Sequence, residues 1–248
     1  MKDIMCIDKI IGVGEIAISD HRSSQPELSD LKKLASDARV SGILSGKAGI
    51  VNIHLGDGKR TIELILDIVN NTEIPYTQFI PTHMNRNPYL FKEAIVYGMA
   101  GGLVDFTTSS DPMFWEEGEV KASKALKICL DSGVKLSQIT FSSDGQGSLP
   151  MFNEKKEYVG LRVGKVTLFE EVRDAILVDN VPMQDALRVI TSNPADNLKL
   201  RNKGRIAKGM DADLVILDEG TLEIDTVIAL GIKMIENKQI LVYGTFEK

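Results

Sequence analysis

Thiol and imidazole groups are scarce in this 248-residue chain, which holds two cysteines and three histidines. Cys6 and Cys129 lie far apart and form no Cys-x-x-Cys pair, which excludes a disulfide framework and a thiolate zinc ribbon. Buried thiols in a reducing, cytoplasmic setting are the expectation. Basic charge is not in excess either: 29 Lys and Arg stand against 35 Asp and Glu, for a net charge of −6. No Lys/Arg stripe stands out, so no nucleic-acid footprint is expected. No apolar run is long enough to span a bilayer. The opening "MKDIMCIDKIIGVGEIAIS" is broken by Lys2, Asp3, Asp8, Lys9 and Glu15, and a secretion signal is not expected there. Internal repeats and low-complexity tracts are absent from the sequence. "GKRT" at 58–61 lacks the upstream glycine of a phosphate loop.

What remains is an ordinary soluble composition, 43% apolar and 26% charged. Short apolar runs alternate with helical patterns. Strands are expected at 10–19, 48–55, 76–83, 101–109 and 137–144, with helices at 27–45, 58–70, 89–100, 118–133 and 165–179. Alternation of this kind, with short strands read as fully apolar, predicts parallel βα units covered by helices. A last helix is expected over 183–191. Beyond it, Gly, Asp and Asn punctuate short strands, so the chain divides into an α/β part at 1–200 and a small β unit at 201–248.

In parallel α/β folds, ligands gather at the carboxyl ends of the strands. The polar residues there are Glu15, His54, His83, Asp105 and Asp144. Two of the three histidines close successive strands, and such a His and carboxylate set suits zinc or a similar divalent ion. Each residue has a plainer role open to it. The histidines can be hydrogen-bonded structural groups, Glu15 can sit in a salt bridge, Asp144 can belong to an Asp-Gly turn, and Asp105 reads as structural. Arg22 in "SDHRSSQP" and Arg86 in "HMNRN" fit an anionic substrate, or else pair with loop acids such as Asp20 or Asp57. "DGQGS" adds Ser148 and a glycine-rich turn. If His54 and His83 are ligands, cation affinity should fall as pH drops through the ordinary histidine range.

With "AISDHRSS", "VNIHLGD", "IPTHMNRN", "FSSDGQGS" and the closing "GRIAKGMDADLVIL" through "GTFE", the chain resembles the isoaspartyl (β-aspartyl) dipeptidases of the amidohydrolase superfamily along its whole length. The resemblance implies a metal-dependent (β/α)8 TIM-type barrel with two zinc ions, hydrolysing dipeptides linked through the β-carboxyl of aspartate. It implies that His54 and His83 hold one metal, and that Asp144 binds the other and takes a proton from the bridging water. Arg22, Arg86 and Ser148 would grip the charged ends of the substrate. Glu15 stands where well-known members carry a carboxylated lysine, and is expected to act as the bridging ligand.

One departure is larger. The superfamily places a His-x-His pair on its first barrel strand, and this sequence has none. The match begins at what resembles the fourth strand, so an incomplete barrel of about five βα units is expected, followed by part of a small β domain. Activity of this chain alone is then in question. Association with itself, or with an N-terminal piece, would cover the open edge. The alternatives are a non-catalytic metal-binding module and a cyclic amidohydrolase such as a dihydroorotase or hydantoinase.

Overall fold

A parallel sheet begins the architecture: β1 (Gly12–Ile18) lies beside β2 (Ile50–Leu55), and β2 beside β3 (Phe79–Thr82). The computed structural model describes residues 1–109, 112–145, 147–153, 157–163 and 167–244, and the backbone alone at 112, 113, 148–150, 152, 162 and 163. β4 (Val104–Thr107) and β5 (Ile139–Ser142) form a second parallel pair. No backbone ladder joins β3 to β4 among the described residues; side chains and one loop amide do so instead.

Helices follow the strands in the expected order: α2 (Leu28–Ser45), α3 (Glu63–Asn71), α4 (Pro88–Met99), α6 (Ala122–Asp131) and α7 (Leu168–Leu177). α4 shows why the chain turns where it does. Asn87 accepts a hydrogen bond from the Leu90 amide at 2.8 Å, and Pro88 occupies the first helical position, where no amide proton is needed. A short α1 (Lys2–Cys6) precedes β1, and α5 (Pro112–Glu116) follows β4; neither was expected from periodicity. The helix expected over 183–191 is α8 (Met183–Arg188), and a further short helix, α9 (Ser192–Asn197), follows beyond the expected range. A hairpin of β6 (Ser148–Phe152) and β7 (Tyr158–Val163) was also missed.

The strands have two unlike faces. On β2, Val51, Ile53 and Leu55 are fully buried against the helices, whereas Ile50, Asn52 and His54 face a cavity of about 410 Å³. The same period of two puts Phe79, Val104, Phe106 and Ile139 in the helix-side core, and Thr82, Asp105, Thr140 and Ser142 on the cavity side. This corrects the reading of the strands as apolar on both faces. Each large side chain buried on the helix side contributes roughly 1.5–3 kcal/mol, and the polar inner face is left for a site. α9 closes one side of the cavity through Pro194, Asn197 and Leu198.

Beyond α9, β8 (Leu214–Leu217), β9 (Ile224–Ala229), β10 (Ile232–Glu236) and β11 (Gln239–Ile240) make an antiparallel sheet in the order β11-β10-β9-β8. Among the described residues, no helix is long and apolar enough to cross a membrane.

Candidate metal centre

Strand register brings the two histidines together. Ala17 on β1 pairs with His54 on β2, and His54 pairs with Thr82, the last residue of β3. His83 comes next, with φ at 63°, a left-handed backbone that turns its ring back across the strand end. His83 Nε2 stands 3.2 Å from His54 Nδ1. Its other nitrogen, Nδ1, is 2.6 Å from the Thr107 hydroxyl at the end of β4. Glu15 reaches the pair from β1: its Oε1 lies 2.7 Å from His54 Nδ1. The β1–β2 register shifts between Val13 and Ile16, an irregularity of the kind that re-aims a side chain at a sheet edge.

The loop carrying His83 is fixed by Asn85, which sequence reasoning does not single out. Buried Asn85 donates to the carbonyls of Thr107 and Val120 at 3.0 and 2.9 Å, and accepts from the Thr107 amide at 2.9 Å. Thr107 thus receives the loop through its backbone and the imidazole through its side chain. The only advance signal for either residue was a position at or beside a strand end.

Burial governs the charge state. It pushes His83 down to about 2, helped by the positive fields of Arg86, His54 and Arg22. His54 is lowered too, chiefly by burial, with Glu15 and Asp144 pulling the other way. Both imidazoles are therefore held neutral, the form that ligates a metal. With both rings lowered, the neutral form is favoured further into the acid range than for a free imidazole.

Asp144 ends the loop after β5, lines the same cavity, and has φ at 47°. Gly147 is packed against it; a Cβ there would meet the Asp144 carbonyl oxygen at 2.8 Å and its carboxyl carbon at 2.9 Å. Asp105, read as structural, is buried on the cavity floor and accepts from Thr82 at 2.6 Å, Thr140 at 2.7 Å, and Ser142. Burial raises its carboxyl to about 6, against the lowering effect of the three hydroxyls.

The arginines differ. Arg22 forks onto Asp20, with Nη2 at 2.9 Å and Nε at 3.1 Å from the two carboxylate oxygens. That pairing holds the Asp20 carboxyl well below its usual range. The Asp20 loop packs on the loop after β2, where Gly56 leaves no room for a side chain: a Cβ would lie 2.5 Å from the Ser19 carbonyl oxygen. Arg86 is half-buried beside the histidines, and its side chain has no hydrogen bond or ion pair to another described residue. Ser148 opens β6, and its side chain lies outside the described residues.

The donor chemistry of Glu15, His54 and His83 fits a divalent cation: one carboxylate and two neutral imidazoles, with the far nitrogen of His83 oriented by an outer partner. These groups are joined in pairs through His54 Nδ1. Among the described residues, no group of three or more His, Cys, Asp or Glu side chains is placed so that it could hold a metal ion.

A β-aspartyl dipeptidase from Fervidobacterium islandicum AW-1, solved in complex with the β-Asp-Leu dipeptide, is similar over 98% of this chain and 62% of its own, with TM-score 0.86 and 43% identity. An N-acetylglucosamine-6-phosphate deacetylase from Lysinibacillus sphaericus is 28% identical over 210 residues, 77% of this chain and 51% of the relative. Atrazine chlorohydrolase from Arthrobacter aurescens TC1, solved with zinc, shares the fold at TM-score 0.50 and 14% identity, over 88% of this chain and 49% of its own. The chain thus spans 62% of the dipeptidase's length and about half of the others'. A profile of the amidohydrolase family matches residues 47–240, from the loop before β2 to the end of β11. With parallel βα units whose strand ends carry the histidines, and with that match over most of its length, the chain belongs to the amidohydrolase family, of the TIM-barrel superfamily.

Proposed function

We propose that this chain carries part of the active site of a metal-dependent hydrolase that cleaves β-aspartyl (isoaspartyl) dipeptides. The observation that carries the reading is the convergence of Glu15, His54 and His83 at adjacent strand ends, in a chain 43% identical to a β-aspartyl dipeptidase. Amidohydrolases are typically metal-dependent, and zinc is present in the chlorohydrolase crystal structure. Here Glu15, His54 and His83 would hold such an ion, with Asp144 beside them. A divalent cation at that point lowers the pKa of water and polarises an amide carbonyl.

The protein groups do the rest. Burial disfavours the imidazolium form of both histidines, leaving each ring one nitrogen with a free lone pair. Asp144, at the cavity wall, takes the proton from the attacking water and passes it to the leaving amine. Arg86 draws a substrate carboxylate to the cavity mouth; Arg22 does so less readily, because Asp20 already occupies its fork. Ser148 is assigned to the substrate's charged end by resemblance alone. Residues 1–200 make a partial barrel and 201–248 a small β unit. The site is completed by an N-terminal segment or by another copy of the chain. The free thiols Cys6 and Cys129 suit a reducing cytoplasm.

The second reading is a non-catalytic module that binds one metal, or none, and associates with a partner. It draws on the absence of a closed three-ligand group among the described residues. Nothing in the geometry favours a cyclic-amide substrate. Turnover of β-Asp-Leu is the deciding test, with zinc content measured on the same sample. The chain is assayed alone and mixed with the part of the Fervidobacterium enzyme outside the aligned region. Hydrolysis in the mixture is expected; metal-loaded protein without turnover in either case sinks the catalytic reading.

A further inference from the structure

His83 sits in a left-handed backbone that a residue with a side chain adopts at a cost, so something must hold it there. Both of its chain neighbours are held by one residue on the next strand. The Thr82 hydroxyl donates to Asp105 Oδ2 at 2.6 Å, and the Met84 amide donates to the Asp105 carbonyl at 3.2 Å. That same Oδ2 also accepts from Ser142, the last residue of β5 and two residues before Asp144, which is itself left-handed. Among the described residues no ladder joins β3 to β4, so these bonds, those of Asn85 and the contact of His83 Nδ1 with the Thr107 hydroxyl couple the two strand ends. The third hydroxyl bond, from Thr140 to Oδ1, runs to the middle of β5 and leads to neither ligand.

We propose that Asp105 is the positioning residue of the site, bracketing His83 through Thr82 and Met84 and tying the strand end that bears His83 to the one that bears Asp144. Its importance to chemistry rests on the reading of those two residues as ligands, but its grip on His83 does not. Asparagine can serve in its place: the amide nitrogen has two protons for the oxygens of Thr82 and Ser142, whose hydroxyls rotate, and the amide oxygen accepts from Thr140. Alanine offers none of these.

The test compares Asp105→Ala, Asp105→Asn, Thr82→Val and Thr140→Val with the parent chain. Unfolding midpoints, the nuclear Overhauser contact between the His54 and His83 rings, and cobalt affinity are the measurements. With three histidines in the chain, the ring signals are resolvable. Thr82→Val and Thr140→Val each remove one bond to the same carboxylate and are expected to lower the midpoint alike. Only Thr82→Val and Asp105→Ala should lose the ring contact, with cobalt affinity weaker on the order of tenfold or more. Asp105→Asn should keep both. A ring contact retained in Thr82→Val, or lost equally in Thr140→Val, overturns the proposal, and this comparison decides it even if Asp105→Ala fails to fold. A parent chain that binds no cobalt overturns the ligand reading instead, while the ring contact still judges Asp105.

Discussion

His54 and His83 meet edge to face, their ring centroids 4.6 Å apart and their planes at 88°. The contact follows from parallel register, which sets His54 opposite Thr82, and from the left-handed turn at His83. His54 Nδ1 then has His83 Nε2 at 3.2 Å and a Glu15 oxygen at 2.7 Å. Changing His83 to asparagine should abolish cation binding and leave the core strands in place. Zinc content after dialysis and the far-ultraviolet circular dichroism spectrum check the two halves of that expectation.

Thr107 is the outer partner of His83, and its loss should be felt in two ways. Thr107→Val leaves a buried imidazole nitrogen without its bond, at a cost of about 1–3 kcal/mol. It also frees the ring, which should weaken cation binding by roughly 10–100-fold. Denaturant unfolding and a competitive zinc titration measure these separately. Intact affinity would show that the ring is held by other contacts.

Much of the frame was legible in the sequence. Five apolar runs gave five parallel strands, and the histidines stood out because so few exist. Strand identity rests on local periodicity, which a sequence displays directly. What held the site together did not show. Asn85, Thr107 and Asp105 act through partners 21 to 37 positions away, and no local pattern encodes such pairs. The β6–β7 hairpin lies almost wholly in a stretch whose sequence suggests no element, and α9 begins just beyond the apolar pattern that marks α8.

Two buried groups give opposite pH slopes. His83 is held far below its unfolded value near 6.5, so its contribution is whole above that pH and is lost as pH falls below it. Asp105 is raised from 3.8 to about 6, so its native state favours the proton; its contribution is whole below pH 4 and is lost between about 4 and 6 as pH rises. Urea unfolding of Asp105→Asn and the parent chain at pH 4, 5 and 7 isolates the second slope. The variant should gain on the parent as pH rises through that window. A constant difference between them would contradict a raised carboxyl.

Arg86 and Arg22 should not weigh equally in substrate binding. Arg86→Met should raise KM for β-Asp-Leu by roughly 10–100-fold, the loss of one charged hydrogen-bonding partner. Arg22→Met should do less, because Asp20 already holds that guanidinium. Equal effects in steady-state kinetics of the completed enzyme would mean that Arg22 leaves Asp20 when substrate arrives.

A cation held by Glu15, His54 and His83, as proposed, is read out by zinc per chain at pH 7 in the purified parent, in Glu15→Gln and in the double variant His54→Asn with His83→Asn. Bound zinc is expected in the parent, weaker retention in Glu15→Gln and none in the double variant. Zinc held equally by the double variant, or absent from the parent after loading, overturns the cation site.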